Sequence, residues 1–345
     1  MGERGFQQCG SGLSRTRRGE EMCSVAVSIV TFNGRRYLSR CLDAVLSQTY
    51  SPIQIHLLDN ASTDSTIEFV AERYPTVEVI RSKVNIGFAA GHNAVIHRTR
   101  SSFVLVLNQD AYLFPTFIEE LVTEMENHSD VGIAGGKLYS LRDAEGNGVG
   151  QKIIDMTWLD IEKRRRFVCF AQMQPESGNC CGPKLVFAAD GAAMFLRRSM
   201  LEEIQFEQEF FDEDFITGKE DVDLSWRAQL LGWKCMYVPS AIGWHVRTFS
   251  PSDRRTTIDE ALKVGSVRNR YLLIMKNDLL PHLFRHLLYI AAYDFTIFGY
   301  LLIRERSSLK GYTQALRLVS RVMKKRKATM SKRKVNNDYI LQWFT

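Results

Sequence analysis

The chain has 345 residues, 45% of them hydrophobic and 24% charged. That length suits one catalytic-sized domain with an appendage, and the composition excludes a disordered chain or a fibre. The net charge of +6 is uneven: residues 304–334 hold twelve Lys or Arg and one acid, residues 1–18 hold four Arg and one acid, and the remainder sums to −8. A pI near 8.9 therefore reports the two ends and gives no reason to expect a nucleic-acid partner.

Residues 1–22 lack the apolar run of roughly 7–15 residues that a secretory signal needs, and read as a disordered leader. The seven cysteines are odd in number and include no C-x-x-C pair, which argues against a disulfide framework or a structural zinc site. The vicinal Cys180-Cys181 reads as two buried small apolar residues.

Val25 to Val30 is a continuous β-rich run of the kind buried on both faces of a parallel sheet. Arg35 to Gln48 places Leu38, Cys41, Leu42, Val45 and Leu46 at helical spacing. A strand over Ile53 to Leu58, a helix over Thr66 to Arg73, a strand over Val77 to Arg81, a helix over Gly87 to Arg98 and a strand over Phe103 to Leu107 follow. Strands alternating with helices predict right-handed crossovers and a doubly wound α/β sheet. Polar clusters at Thr31-Phe-Asn33, Asp59-Asn60, Asn85-Ile-Gly87 and Asn108-Gln-Asp110 fall at four successive strand ends, where such sheets bind ligands.

Asp110, directly after an apolar strand, suits a divalent cation whose other ligands are phosphate oxygens. Eight acids lie between Glu207 and Asp223, and Glu220-Asp221 opens a helix that Gly232 stops. Helix-start preference accounts for some of them, Asp223 among them. So dense a cluster also predicts mutual pKa elevation and a carboxylate poised as a base. His245, beside aromatics, is either structural or a metal ligand. From Leu287 to Ile303 Asp294 is the one charged residue, and basic runs at Lys324–Lys327 and Lys332–Lys334 follow. The apolar stretch is at or below the roughly 18–20 residues of a bilayer span, so an interfacial or packed helix is expected.

Over residues 25–277 the chain resembles inverting family 2 glycosyltransferases of the rhamnosyltransferase and galactofuranosyltransferase-like branch. The matching segments are Val-Ser-Ile-Val-Thr-Phe-Asn33, Cys41 to Gln48, Leu58 to Asp64, Asn85-Ile-Gly-Phe-Ala-Ala-Gly-His-Asn93, Leu107 to Asp110, Asp190 to Arg197, Phe211 to Glu213, Glu220 to Leu224 and His245. Gln109 stands where proline is usual, Ile216 and Gly218 where aromatics are common, and Thr248 where glycine is usual.

The resemblance implies a GT-A-type mixed sheet over 23–277, a helical, basic, membrane-associating extension over 278–345, and transfer from a nucleotide-diphosphate sugar. Rhamnose is the first expectation for the sugar and galactofuranose the second. It implies a saccharide or lipid-linked saccharide acceptor, for a bacterial surface polymer made at the inner, cytoplasmic face of an anionic membrane. Asp221 would be the base and Glu220 a positioning acid. Asp110 and His245 would ligate Mg²⁺ or Mn²⁺, with Asn108 beside them. Thr31, Asn33, Asp59 and Asn85 would form the nucleotide pocket, and Asp190 would contact the donor sugar. The alternative is an inactive version of the fold serving as a membrane-surface interaction protein. The absence of G-x-G-x-x-G after the first strand disfavours a dinucleotide dehydrogenase.

Overall fold

The computed structural model describes residues 23–141, 152–176, 182–216, 218–246 and 258–345. The expected leader, Cys180-Cys181 and Thr248 lie outside the described residues. The first half follows the predicted alternation: β1 (Val25–Thr31), α1 (Arg35–Leu46), β2 (Ile53–Asp59), α2 (Thr66–Arg73), β3 (Glu78–Arg81), α3 (Gly87–Arg98) and β4 (Phe103–Asn108). α1 buries Leu38, Cys41, Leu42 and Val45, one stripe at helical spacing, as an amphipathic helix over a sheet requires.

The chain continues through β5 (Ala111–Leu113), α4 (Phe117–Asn127), β6 (Val131–Ser140), β7 (Ile154–Met156), β8 (Trp158–Ile161), β9 (Phe167–Cys169), β10 (Lys184–Val186), β11 (Ala188–Ala189) and β12 (Ala193–Arg197). Then come α5 (Arg198–Ile204), α6 (Glu220–Leu230) and β13 (Lys234–His245). The main sheet runs β10-β13-β6-β12-β4-β1-β2-β3, with β5 on β13 and β7 on β6. β1 through β4 pair in parallel, whereas β12 is antiparallel to both β4 and β6, so the sheet is mixed. Its two faces carry separate cores, one with Leu42 and Phe195, the other with Leu196 and Trp226.

β1 lies between β2 and β4, so the strand order reverses there. Val30 is in register with Asn108, and Thr31 with Asp59. The crevice beyond those strand ends is where a doubly wound sheet takes its ligand.

Past β13 the chain is helical: α7 (Glu260–Asn277), α8 (Leu280–Arg285), α9 (Leu287–Arg304), α10 (Lys310–Ser331) and α11 (Asn337–Leu341). α10 packs along α7, and Arg326 Nη1 donates to the carbonyls of Met275, Lys276 and Asp278 at 3.1, 3.2 and 2.7 Å. A guanidinium there satisfies orphan carbonyls at the negative end of the α7 dipole. α9 buries only Ile290 and Leu301 among its apolar residues, while Leu288, Phe295 and Ile303 are 83%, 79% and 77% exposed.

Candidate active site

The predicted nucleotide-pocket residues all sit at the carboxyl edge of the sheet. Asp59 is buried at the end of β2 and accepts from Ser62 N at 3.3 and 3.2 Å, which shapes the following turn. Asn33 occupies the left-handed region at φ 49°, and its Oδ1 accepts from Thr63 N at 2.8 Å. Asn85 Oδ1 accepts from Gly87 N at 3.0 Å and so starts α3. The Thr31 hydroxyl donates to Gln109 Oε1 at 2.5 Å, and the same oxygen accepts from Phe32 N at 3.2 Å. Gln109 thus ties β1 to the end of β4, a link that a proline side chain would lack.

β13 ends antiparallel to β5, with His245 opposite Ala111, and this brings the imidazole to Asn108 and Asp110. His245 Nε2 lies 3.4 Å from Asp110 Oδ1 and 3.5 Å from Asn108 Nδ2. His245 Nδ1 lies 2.7 Å from Asp155 Oδ2, a carboxylate wholly buried on β7. Burial pulls the imidazole pKa down, but Asp110 and Asp155 outweigh it and raise the group to about 9. Among the described residues no three His, Cys, Asp or Glu side chains converge as a closed metal site. One carboxylate oxygen and one oriented imidazole nitrogen fit a divalent cation that completes its shell with ligand oxygens.

Asp190 and the start of α6 form the other side. Asp221 Oδ2 accepts from Gly191 N at 3.1 Å, and Oδ1 accepts from Val222 N at 2.7 Å. Burial, then the charge of Asp190, raises Asp221 to about 7. Burial, then Asp221, raises Glu220 to about 8. Glu220 Oε2 is buried and has no hydrogen-bond partner among the described residues. Burial and neighbouring carboxylates thus hold both carboxyls above the usual range, with backbone donors pulling each back toward it.

The family description "Glycosyltransferase like family 2" matches residues 23–263. The chain belongs to glycosyltransferase family 2. It is 25% identical over 248 residues to N-acetylglucosaminyl-diphospho-decaprenol L-rhamnosyltransferase of Mycobacterium tuberculosis H37Rv, covering 65% of this chain and 76% of that one. Two solved structures share the fold at TM-score 0.55: GalNAc-T7 with UDP, GalNAc and Mn²⁺ at 14% identity, and S. aureus TarS at 16%. They cover 75% and 90% of this chain, and the chain spans about half of each, 48% and 54%.

In this glycosyltransferase the acidic cluster divides in two. Glu220 and Asp221 are pushed up. Burial pushes Asp212 up as well, but Lys276 and Lys325 more than offset it and hold it below the usual carboxylate range. Lys325 Nζ meets Asp212, Asp214 and Glu209 at 2.5, 2.8 and 2.6 Å, Arg321 meets Glu209 at 2.5 Å, and Lys324 meets Glu207 at 2.7 Å. Asp223 pairs with Arg227 at 2.9 Å and Lys276 at 2.6 Å. Four of the eight acids, Glu207, Glu209, Asp212 and Asp214, pair with the basic tail, so charge pairing offsets the expected mutual elevation at Asp212. Asn93, which ends the Asn85–Asn93 segment, holds that same loop, accepting from Phe211 N at 2.9 Å and donating to Glu213 at 3.0 Å.

Asp155 was absent from the sequence reading. It stands 90 residues from His245 in a stretch with no motif of its own, and only the pairing of β7 and β13 with β6 brings the two together.

Proposed function

We propose that this family 2 glycosyltransferase moves a sugar from a nucleotide-diphosphate donor to a saccharide or lipid-linked saccharide, with inversion. The observation that carries the reading is the linkage of two groups: Asp221, raised to about 7 and bonded by Gly191 N, and Asp110 with the oriented imidazole of His245, tied together where Asn108 N donates to the Ala192 carbonyl at 2.9 Å. The mycobacterial relative supports a rhamnose-like donor sugar and a lipid-diphosphate acceptor.

The acceptor hydroxyl attacks the anomeric carbon while the nucleoside diphosphate leaves from the opposite face. Asp221 takes the hydroxyl proton, and Glu220 and Asp190 hold sugar hydroxyls in line. Asp110 and His245 would hold Mg²⁺ or Mn²⁺, which supplies charge neutralisation for the departing diphosphate. Thr31, Asn33, Asp59 and Asn85 would frame the base and ribose, with Asn108 near the diphosphate.

The chain acts at a membrane surface, with α9 as the contact. Its 18 residues have a mean hydropathy of 1.4 and are mostly exposed, as for a helix lying in the interface. The basic tail adds less than its sequence suggests, because Arg321, Lys324, Lys325 and Lys334 are paired with acids of the catalytic domain.

Donor turnover tests the enzymatic reading. Asp221→Asn keeps the size of the side chain but cannot take a proton, so turnover should fall by about 10²–10⁴-fold with nucleotide binding retained. Normal turnover in that variant would remove Asp221 from the mechanism. No donor turnover by the wild type across a panel of nucleotide sugars would favour the inactive interaction protein.

A further inference from the structure

α9 does not lie flat on the catalytic domain. Two cavities of about 740 and 400 Å³ run beneath it and share Tyr293 and Thr296 as a wall. Their other wall is the β8–β9 turn, Lys163-Arg-Arg-Arg166, four consecutive cations. Lys163 and Arg164 line the larger cavity, Arg165 and Arg166 the smaller.

These cations are not equivalent. Arg165 is fully buried and committed to Asp278 at 2.6 Å, and Arg164 pairs with Glu162 at 2.5 Å. Arg270, also lining the smaller cavity, pairs with Asp294 at 2.8 Å. The Arg166 guanidinium is exposed and has no hydrogen-bond or ion-pair partner among the described residues. Lys219 lines the same cavity and stands two residues before Asp221. The α9 side presents Ile297, Tyr300 and Leu301. The groove therefore joins a cationic wall to an apolar one, and its Lys219 directly precedes Glu220 in the chain.

We infer that this groove takes the phosphate or diphosphate of the lipid-linked acceptor, with Arg166 on the anion and the hydrocarbon lying along α9. The inference rests on the transferase reading above and names the acceptor site within it. An exposed guanidinium such as that of Arg166 suits phosphate oxygens, which accept charge-assisted hydrogen bonds. The exposed Leu288 and Phe295 of α9 suit an apolar chain entering a bilayer. A second copy of the chain would set this cationic wall against its own like, and a purely acidic peptide would leave the apolar wall bare.

The test uses the full-length chain and calorimetric binding of geranyl diphosphate, geraniol and inorganic diphosphate, with donor hydrolysis measured alongside. Geranyl diphosphate is expected to bind more tightly than either of the others. Arg166→Glu, a change at an exposed side chain, should weaken it by about tenfold or more. Arg317→Glu, on the exposed side of α10, serves as the charge control and should leave affinity unchanged. Equal affinity for geranyl and inorganic diphosphate overturns the lipid part, and equal binding by Arg166→Glu and wild type overturns the site. Donor hydrolysis without any geranyl diphosphate binding overturns the groove while the transferase reading stands. Binding that Arg166→Glu weakens, without donor hydrolysis by the wild type, supports the groove and counts against the transferase reading.

Discussion

Asp155, buried on β7, holds His245 Nδ1 at 2.7 Å and turns Nε2 of the same ring toward Asp110. A carboxylate behind a ligating imidazole fixes its tautomer and raises its basicity. Asp155→Asn should therefore weaken Mn²⁺-dependent donor binding by about 10–100-fold and, as a change at a wholly buried partner of His245, should also lower the thermal midpoint. A Mn²⁺ titration of donor binding checks this, and an unaltered midpoint of that titration would reduce Asp155 to packing.

The carboxylate pair predicts a pH profile. Burial and then Asp190 raise Asp221 to about 7, and burial and then Asp221 raise Glu220 to about 8. As Asp221 must be ionised to take a proton, kcat/KM should climb as pH rises through about 7. Asp190→Asn removes a neighbouring charge, so the ascending limb should move to lower pH. A limb that does not move would place Asp190 outside the pair.

The same shifts fix a stability trend of opposite sign. Both folded-state values lie above the unfolded values of 3.8 and 4.5, so the folded chain binds more protons between them. The stability from these groups is fully present below about pH 4 and is lost as pH rises through about 7–8. Glu220→Gln should flatten that part of the curve and raise the denaturation midpoint at pH 8 relative to wild type. Urea melts at pH 5 and pH 8 compare the two.

Lys325 is 3% exposed and faces Asp212, Asp214 and Glu209. Removing one partner from a buried ionic cluster strands the others, at about 3–5 kcal/mol. Lys325→Ala should lower stability by that order, whereas Lys324→Ala, on an exposed pair with Glu207, should change it by less than about 1 kcal/mol. Equal effects in chemical denaturation would mean that the tail is held by its apolar residues.

The partly spent basic tail changes what salt should do at a membrane. With the apolar face of α9 carrying most of the contact, vesicle co-sedimentation should persist largely intact at high ionic strength, since only exposed charge is screened. Replacing Leu288, Phe295 and Ile303 together with Ser should abolish it. Complete release by salt would return the dominant role to the charges.

The alternating strands and helices up to Asn108 were legible because β1 and β4 are almost wholly apolar and α1 carries a periodic stripe, both local properties of the chain. The polar strand ends Thr31, Asp59 and Asn108 were legible for the same reason: topology fixes where parallel strands finish. The partners of the charges were not. Whether an acid is a base, like Asp221, or an anchor for Lys325, like Asp212, depends on what packs against it. Asp212 meets Lys325, 113 residues away, and Lys276, 64 away. Asp155 meets its histidine only because β7 and β13 both pair with β6. Electrostatic roles are set by distance in space and by burial, and both are properties of the packed chain.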